Sequence, residues 1–113
     1  MHEYSLVQAM FDQIEATARG HEARRVTRVR VRIGAAAGVD VTLFRTAYDT
    51  FRVCTICDSA PLDVDEVPAR WTCPAGHGDI VPGRPLACVT CGRPARLAEG
   101  DEIVLDRLEL EVP

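Results

Sequence analysis

The chain has 113 residues, of which 47% are hydrophobic, and a formal net charge of −4. That length admits one domain, or a domain with a small appendage, whose core shields only a modest share of its surface. The negative charge gives no general attraction to nucleic acid, no run approaches the ~18 apolar residues of a membrane span, and the N-terminus lacks the basic and apolar regions of a secretory leader. A cytoplasmic protein with neither a membrane nor a nucleic-acid partner is expected.

Met1-His2-Glu3 opens the chain. A histidine at position 2 brings three nitrogens within chelating reach: the terminal amine, the amide of residue 2 and the imidazole. Such a nitrogen-rich planar set suits Ni(II) or Cu(II), and Glu3 can add a carboxylate oxygen. Ser5 and Gln8 then have the form of a capping box. Leu6, Val7, Met10, Phe11, Ile14 and Ala18 follow at helical spacing as far as Gly20, which predicts a first helix entered at Ser5.

Residues 28–33 alternate strictly, with Val29, Val31 and Ile33 on one face and Arg28, Arg30 and Arg32 on the other. That pattern is a half-buried strand whose arginine face is solvated, and it can pair with Asp63 and Asp65 if their strands are neighbours. After a connector, Gly34 to Gly38, Asp40 or Thr42 can cap a second helix. Its apolar stripe would be Phe44, Ala47, Tyr48, Phe51 and Cys54. Leu62 and Val64 alternate with Asp63 and Asp65 in a further strand that Pro68 ends. A last strand carries Ile103 and Leu105, then Leu108, Leu110 and Val112. Its phase slips near Asp106-Arg107, as at a β-bulge.

Residues 70–99 differ in character. They hold four of the seven prolines, four of the eight glycines and three of the five cysteines, with little periodicity. This reads as a loop-rich insert stapled by metal. The expected fold class is therefore α+β: a small sheet with two helices, built from residues 1–69 and 100–113, carrying a zinc ribbon at residues 70–99.

Five cysteines, an odd number with two C-x-x-C pairs, argue for metal or thiol chemistry over a disulfide framework. Cys88-Val89-Thr90-Cys91-Gly92 is a knuckle, supplying two thiolates and a glycine for the turn behind them. Cys73 and His77 precede it at a spacing suited to the other half of a tetrahedral site. A Cys3His set of Cys73, His77, Cys88 and Cys91 would close a structural Zn(II) site with no open position. Spacing alone equally admits Cys54 and Cys57 alongside Cys88 and Cys91, and that pair also has the form of a redox dithiol. Against both readings, Cys54 continues the stripe of the second helix, where free cysteine packs as a small hydrophobe. A dithiol at a helix C-terminus also lacks the dipole that would lower its pKa.

Several of these segments together resemble the HypA-type hydrogenase-maturation nickel chaperones. They are Met1-His2-Glu3-Tyr4-Ser5-Leu6-Val7-Gln8, the run Arg25-Val26-Thr27-Arg28-Val29 leading to Ile33-Gly34, Gly38-Val39, Val67-Pro68-Ala69 and Cys88-Val89-Thr90-Cys91-Gly92. The resemblance implies a nickel site at the N-terminus centred on His2, with Met1 and Glu3 beside it. It also implies a separate structural zinc site, and delivery of nickel to a [NiFe] hydrogenase, its large subunit, with a GTPase partner. Two segments depart from the family. Gly76 stands where the second cysteine of the first C-x-x-C would fall, with His77 one residue later, and Val53 to Ala60 carries a cysteine pair the family lacks.

No nucleophile–base pair, phosphate loop or cofactor fingerprint is visible, so no enzyme is expected. Two other classes remain open. A zinc-ribbon module binding protein or nucleic acid would need exposed basic or aromatic residues around the knuckle, where Trp71 is the single aromatic. A thiol oxidoreductase would use Cys54 and Cys57.

Overall fold

The computed structural model describes residues 2–82 and 86–113. The elements run α1 (His2–Gly20), β1 (Arg25–Gly34), α2 (Val41–Phe51), β2 (Leu62–Val67), β3 (Arg70–Thr72), β4 (Asp79–Ile80), β5 (Arg96–Glu99) and β6 (Ile103–Glu111). They form two three-stranded sheets, ordered β2-β1-β6 and β4-β3-β5.

The first sheet carries the core. β1 is central, parallel to β2 through the α2 crossover and antiparallel to β6. Its Val26, Val29, Val31 and Ile33 are buried against Val7, Phe11 and Ile14 of α1 and Phe44, Ala47 and Tyr48 of α2. Each such side chain removed from water contributes about 1.5–3 kcal/mol. Phe11 bridges the two helices, its ring 5.6 Å from that of Tyr48 and 6.0 Å from that of Phe51.

The other sheet face is charged, as the alternation of β1 requires. Arg28 pairs with Asp63 at 2.6 Å and Arg30 with Asp65 at 3.8 Å. Asp106 adds a third partner, 3.7 Å from Arg30 and 3.3 Å from Arg32. Asp106 gets there because it is the extra residue of the bulge: Arg30 sits opposite Arg107 while Val31 sits opposite Leu105. These pairs are half-exposed, worth at most about 1 kcal/mol each, and they set register more than stability.

Three expectations are corrected. α1 begins at His2, so Ser5 lies inside the first turns and the chelating residues are themselves helical. Residues 70–99, expected to be loop-rich, hold three short strands. α2 stops at Phe51, and Cys54 follows it exposed, in the left-handed region at φ 61°. The buried member of the Cys54/Cys57 pair is Cys57. The amphipathic period ran past the true end because Arg52, whose amide still bonds to the carbonyl of Tyr48, closes the helix.

The ribbon's two linkers meet the core sheet at one place. The amide of Gly34 donates to Glu102, that of Ala35 to Val67 and that of Ala36 to Gly100, each at 2.8 Å. A Cβ on Gly34 would lie 2.0 Å from the carbonyl oxygen of Gly100, so the backbones touch there. Among the described residues, no helix is long and apolar enough to cross a membrane.

Candidate metal centres

The ribbon cluster is built from two copies of one turn. Cys73 follows β3; its amide donates to Gly78 and its carbonyl accepts from Gly76, both at 3.0 Å. Cys88 repeats the pattern, its amide donating to Arg93 at 2.9 Å and its carbonyl accepting from Gly92 at 2.8 Å. Gly92 holds φ at 72°, the left-handed conformation that turns the chain so that the Arg93 carbonyl faces the Cys88 amide. In each turn an amide two residues on donates to the first sulfur: Ala75 to Cys73 at 3.3 Å and Thr90 to Cys88 at 3.4 Å.

As the spacing predicts, the turns converge Cys73, His77, Cys88 and Cys91, with one ligand atom from each lying within 4.8 Å of all the others. The Cys73 sulfur is 3.4 Å from His77 Nδ1 and 3.5 Å from the Cys91 sulfur, and the Cys88 sulfur is 3.6 Å from His77 Nδ1. A tetrahedral Zn(II) with sulfur at ~2.3 Å and nitrogen at ~2.05 Å needs S···S near ~3.8 Å and S···N near ~3.6 Å. The donor set fits that ion. His77 occupies the position that the glycine turn vacates, reaching the two buried sulfurs from the exposed side.

The electrostatics suit a cation. The His77 amide, opposed by burial and helped by the Ala75 amide, brings the Cys73 thiol down to about 6. The amides of Cys91 and Thr90 lower Cys88. Bonds to both sulfurs raise His77. The Arg93 amide pulls Cys91 down, but burial and the neighbouring thiols leave it raised. Two thiolates are thus stabilised by fixed amide dipoles, and metal replaces the protons on the remaining ligands.

The N-terminal residues are the second candidate. His2 is exposed on the first turn of α1. Glu3 Oε2 accepts a hydrogen bond from the Asp40 amide at 3.2 Å, which is the main reason its carboxyl sits below the ordinary value. Asp40 in turn caps α2, its Oδ1 accepting from the Leu43 amide at 3.1 Å. Met1, the third residue expected here, lies outside the described residues. The link from Glu3 to Asp40 was invisible in sequence, where Asp40 registers only as a helix cap.

The Cys54/Cys57 pair lies apart from the ribbon cluster. Burial raises the Cys57 thiol to about 11, the opposite of an activated dithiol. The turn is fastened by Tyr48 and Arg52, whose hydroxyl and guanidinium both donate to the Ala60 carbonyl at 2.8 Å. Trp71 is half-buried within the ribbon sheet, and Arg70 beside it is paired to Asp79 and Glu99, so among the described residues no aromatic platform for nucleic acid stands open at the knuckle.

Comparison with known proteins shows the family. A family model described as hydrogenase/urease nickel incorporation, metallochaperone, hypA matches residues 1–110. The chain belongs to the HypA family. It is 34% identical over 113 residues to the hydrogenase maturation factor HypA of Shewanella baltica, covering 98% of this chain and 97% of that one. It is 31% identical to the HypA of Desulfitobacterium hafniense over 98% and 99% of the two chains. Among solved structures it superposes on the Ni metallochaperone HypA from Helicobacter pylori with a TM-score of 0.72 at 28% identity, covering 98% of each chain. A second HypA solution structure gives 0.78 at 29% identity, over 100% of this chain and 98% of that one. The α+β architecture is thus that of HypA structures.

Proposed function

We propose that the chain carries Ni(II) at its N-terminus and hands it over during maturation of a [NiFe] hydrogenase. The carrying observation is the first turn of α1, where an exposed imidazole and a tethered carboxylate stand together at a chain terminus. His2 binds nickel with the Met1 amine and the amide nitrogen between them, and Glu3 supplies the oxygen side. A terminus is accessible to a receiving protein, and few protein ligands favour transfer by ligand exchange. Affinity order alone does not reject copper, so geometry and docking select the ion. The large subunit of the hydrogenase receives it with the help of a maturation GTPase, in the cytoplasm. The role is carriage rather than catalysis, and no catalytic residue is assigned.

Zn(II) belongs to the ribbon, held by Cys73, His77, Cys88 and Cys91. Four protein ligands leave no position for substrate, so the ion's contribution is to fold residues 70–99 as a unit. Residues 1–69 with 100–113 form the nickel-binding domain. The experiment is metal analysis of the purified chain before and after nickel loading. One zinc throughout and one added nickel are expected; a chain that takes up no nickel, or whose nickel survives His2→Ala, overturns the reading.

A further inference from the structure

We propose that the ribbon groove beside β4 is a docking surface for an extended, acidic segment of a partner protein that also carries aliphatic side chains. The groove has a volume of about 520 Å³ and opens between β4 and the turn from Cys88 to Gly92, with Ile80, Val81, Ala87 and Val89 as its apolar lining. Val89 is fully exposed and Val81 is 85% exposed, more than any other large hydrophobic among the described residues. One valine left in water is ordinary, but two on the rim of one apolar groove make a patch. The patch continues inwards. Trp71 lies between Ile80 and Leu97 in the ribbon sheet, all three are only half-buried, and none joins the main core.

Charge says what fits. Residues 70–99 hold four arginines against two carboxylates, Asp79 and Glu99, in a chain whose net charge is −4. Arg70 bonds to both carboxylates, at 3.0 and 3.4 Å, so the acid that lines the groove already has its cation. Arg93, next to groove-lining Gly92, and Arg96 on β5 are exposed. Among the described residues neither forms an ion pair. An aliphatic groove beside free guanidinium groups selects carboxylates and apolar side chains on one ligand. That ligand is a protein segment, because a groove whose rim valines stand in water is too open to enclose a small molecule. It is extended, because β4 is an edge of its sheet and both β4 residues line the groove, where an added strand can pair. Nucleic acid, the other polyanion, finds no stacking surface, since no aromatic among the described residues lines the groove.

Placement gives the surface a use. The ribbon joins the core sheet at the Gly34 end of β1, and from Gly34 the chain runs on to Asp40, whose amide holds Glu3. A protein gripped by the ribbon is therefore brought towards the end of the molecule where α1 starts. That use rests on the nickel reading above, whereas the docking itself needs only the groove.

The test follows amide shifts of the full, zinc-loaded chain, without nickel, as end-blocked synthetic peptides are added. One peptide alternates leucine with glutamate, one leucine with lysine and one serine with glutamate. Saturable shifts at Ile80, Val81, Ala87, Val89 and Gly92 are expected with the first alone. Val89→Ser and the double variant Arg93→Glu, Arg96→Glu change exposed side chains only. Each should weaken that binding about tenfold or more while zinc content stays the same. The double variant should take up the lysine peptide instead. No saturable shift, equal shifts from the lysine or serine peptide, shifts confined to the core sheet, or variants that bind like the natural chain would each overturn the proposal. So would groove shifts that follow chain concentration without peptide, which assign the surface to a second copy, or that follow a single-stranded oligonucleotide in place of the peptide.

Discussion

The Glu3 carboxylate accepts a hydrogen bond from the Asp40 amide at 3.2 Å, so the first turn of α1 is tied to the residue that caps α2. That bond favours the ionised carboxylate and holds its pKa below 4.5. The stabilisation is present above the unfolded value and is lost as pH falls through the lower folded one. In an NMR titration the Asp40 amide shift should follow Glu3 with a midpoint below 4.5, and Glu3→Gln should abolish that titration. A midpoint at or above 4.5 would show that the contact is not made in solution.

Nickel binding should depend on a free amine and a neutral imidazole. Both ligands must shed a proton to bind the metal, so affinity should fall as pH is lowered. His2→Ala should lose nickel and keep zinc and fold. Calorimetry on a chain extended ahead of Met1 should show weaker binding, whereas a histidine-free C-terminal tag should leave it unchanged. Equal affinity for the extended chain would remove the amine from the ligand set.

Cys88→Ser should release zinc and loosen residues 70–99 while the helical signal in circular dichroism persists, because the core cluster draws nothing from the ribbon. His77→Cys should keep one zinc per chain, thiolate being an equivalent ligand, whereas His77→Ala should weaken zinc retention against a chelator. Retention unchanged in His77→Ala would put the fourth ligand elsewhere.

The two cysteines of the extra pair should behave oppositely. Cys57→Ala opens a cavity and should cost about 1–2 kcal/mol in denaturant unfolding, and Cys54→Ala should stay within about 0.5 kcal/mol. Because burial raises Cys57 from 9.0 to about 11, its contribution is complete below pH 9 and is lost as pH rises towards 11. The alkaline decline should be shallower in Cys57→Ala. A thiol reagent should label Cys54 quickly and Cys57 only on unfolding.

Gly34→Ala should be far more damaging than Gly38→Ala. A Cβ at Gly34 would collide with backbone at 2.0 Å, whereas Gly38 faces open space and pays only for its φ of 73°. About 2–4 kcal/mol against about 1 kcal/mol is expected in thermal unfolding.

What the sequence made legible follows from what is periodic or chemically distinctive. The alternation of residues 28–33 located the core strand and its arginine face, and the phase slip at Asp106 located the bulge. Ligand type and spacing assembled Cys73, His77, Cys88 and Cys91. What failed was punctuation. The capping pattern at Ser5 does not mark the helix start, because the helix already runs from His2 with Tyr4 packed on Phe51 at 5.5 Å. Cys54 falls in phase with α2, yet the helix stops before it, since Tyr48 and Arg52 gather the chain to Ala60. Contacts between distant segments, such as Glu3 with Asp40, leave no local signal.

The insertion point of the ribbon bears on the order of assembly. Val67 lies beside Gly34, and Ile103 beside Ile33, so the excursion through residues 68–102 leaves and re-enters the sheet at one end of β1. While that segment is unfolded, docking β6 requires closing a long flexible loop, whose entropy opposes the step. Once metal gathers the two cysteine turns, the loop is mostly a folded unit and its ends start near one another. An ion held in the ribbon, remote from the proposed nickel ligands, would therefore speed completion of the sheet that supports them. Newly made chains starved of zinc would wait longest at the stage where β6 is still unpaired.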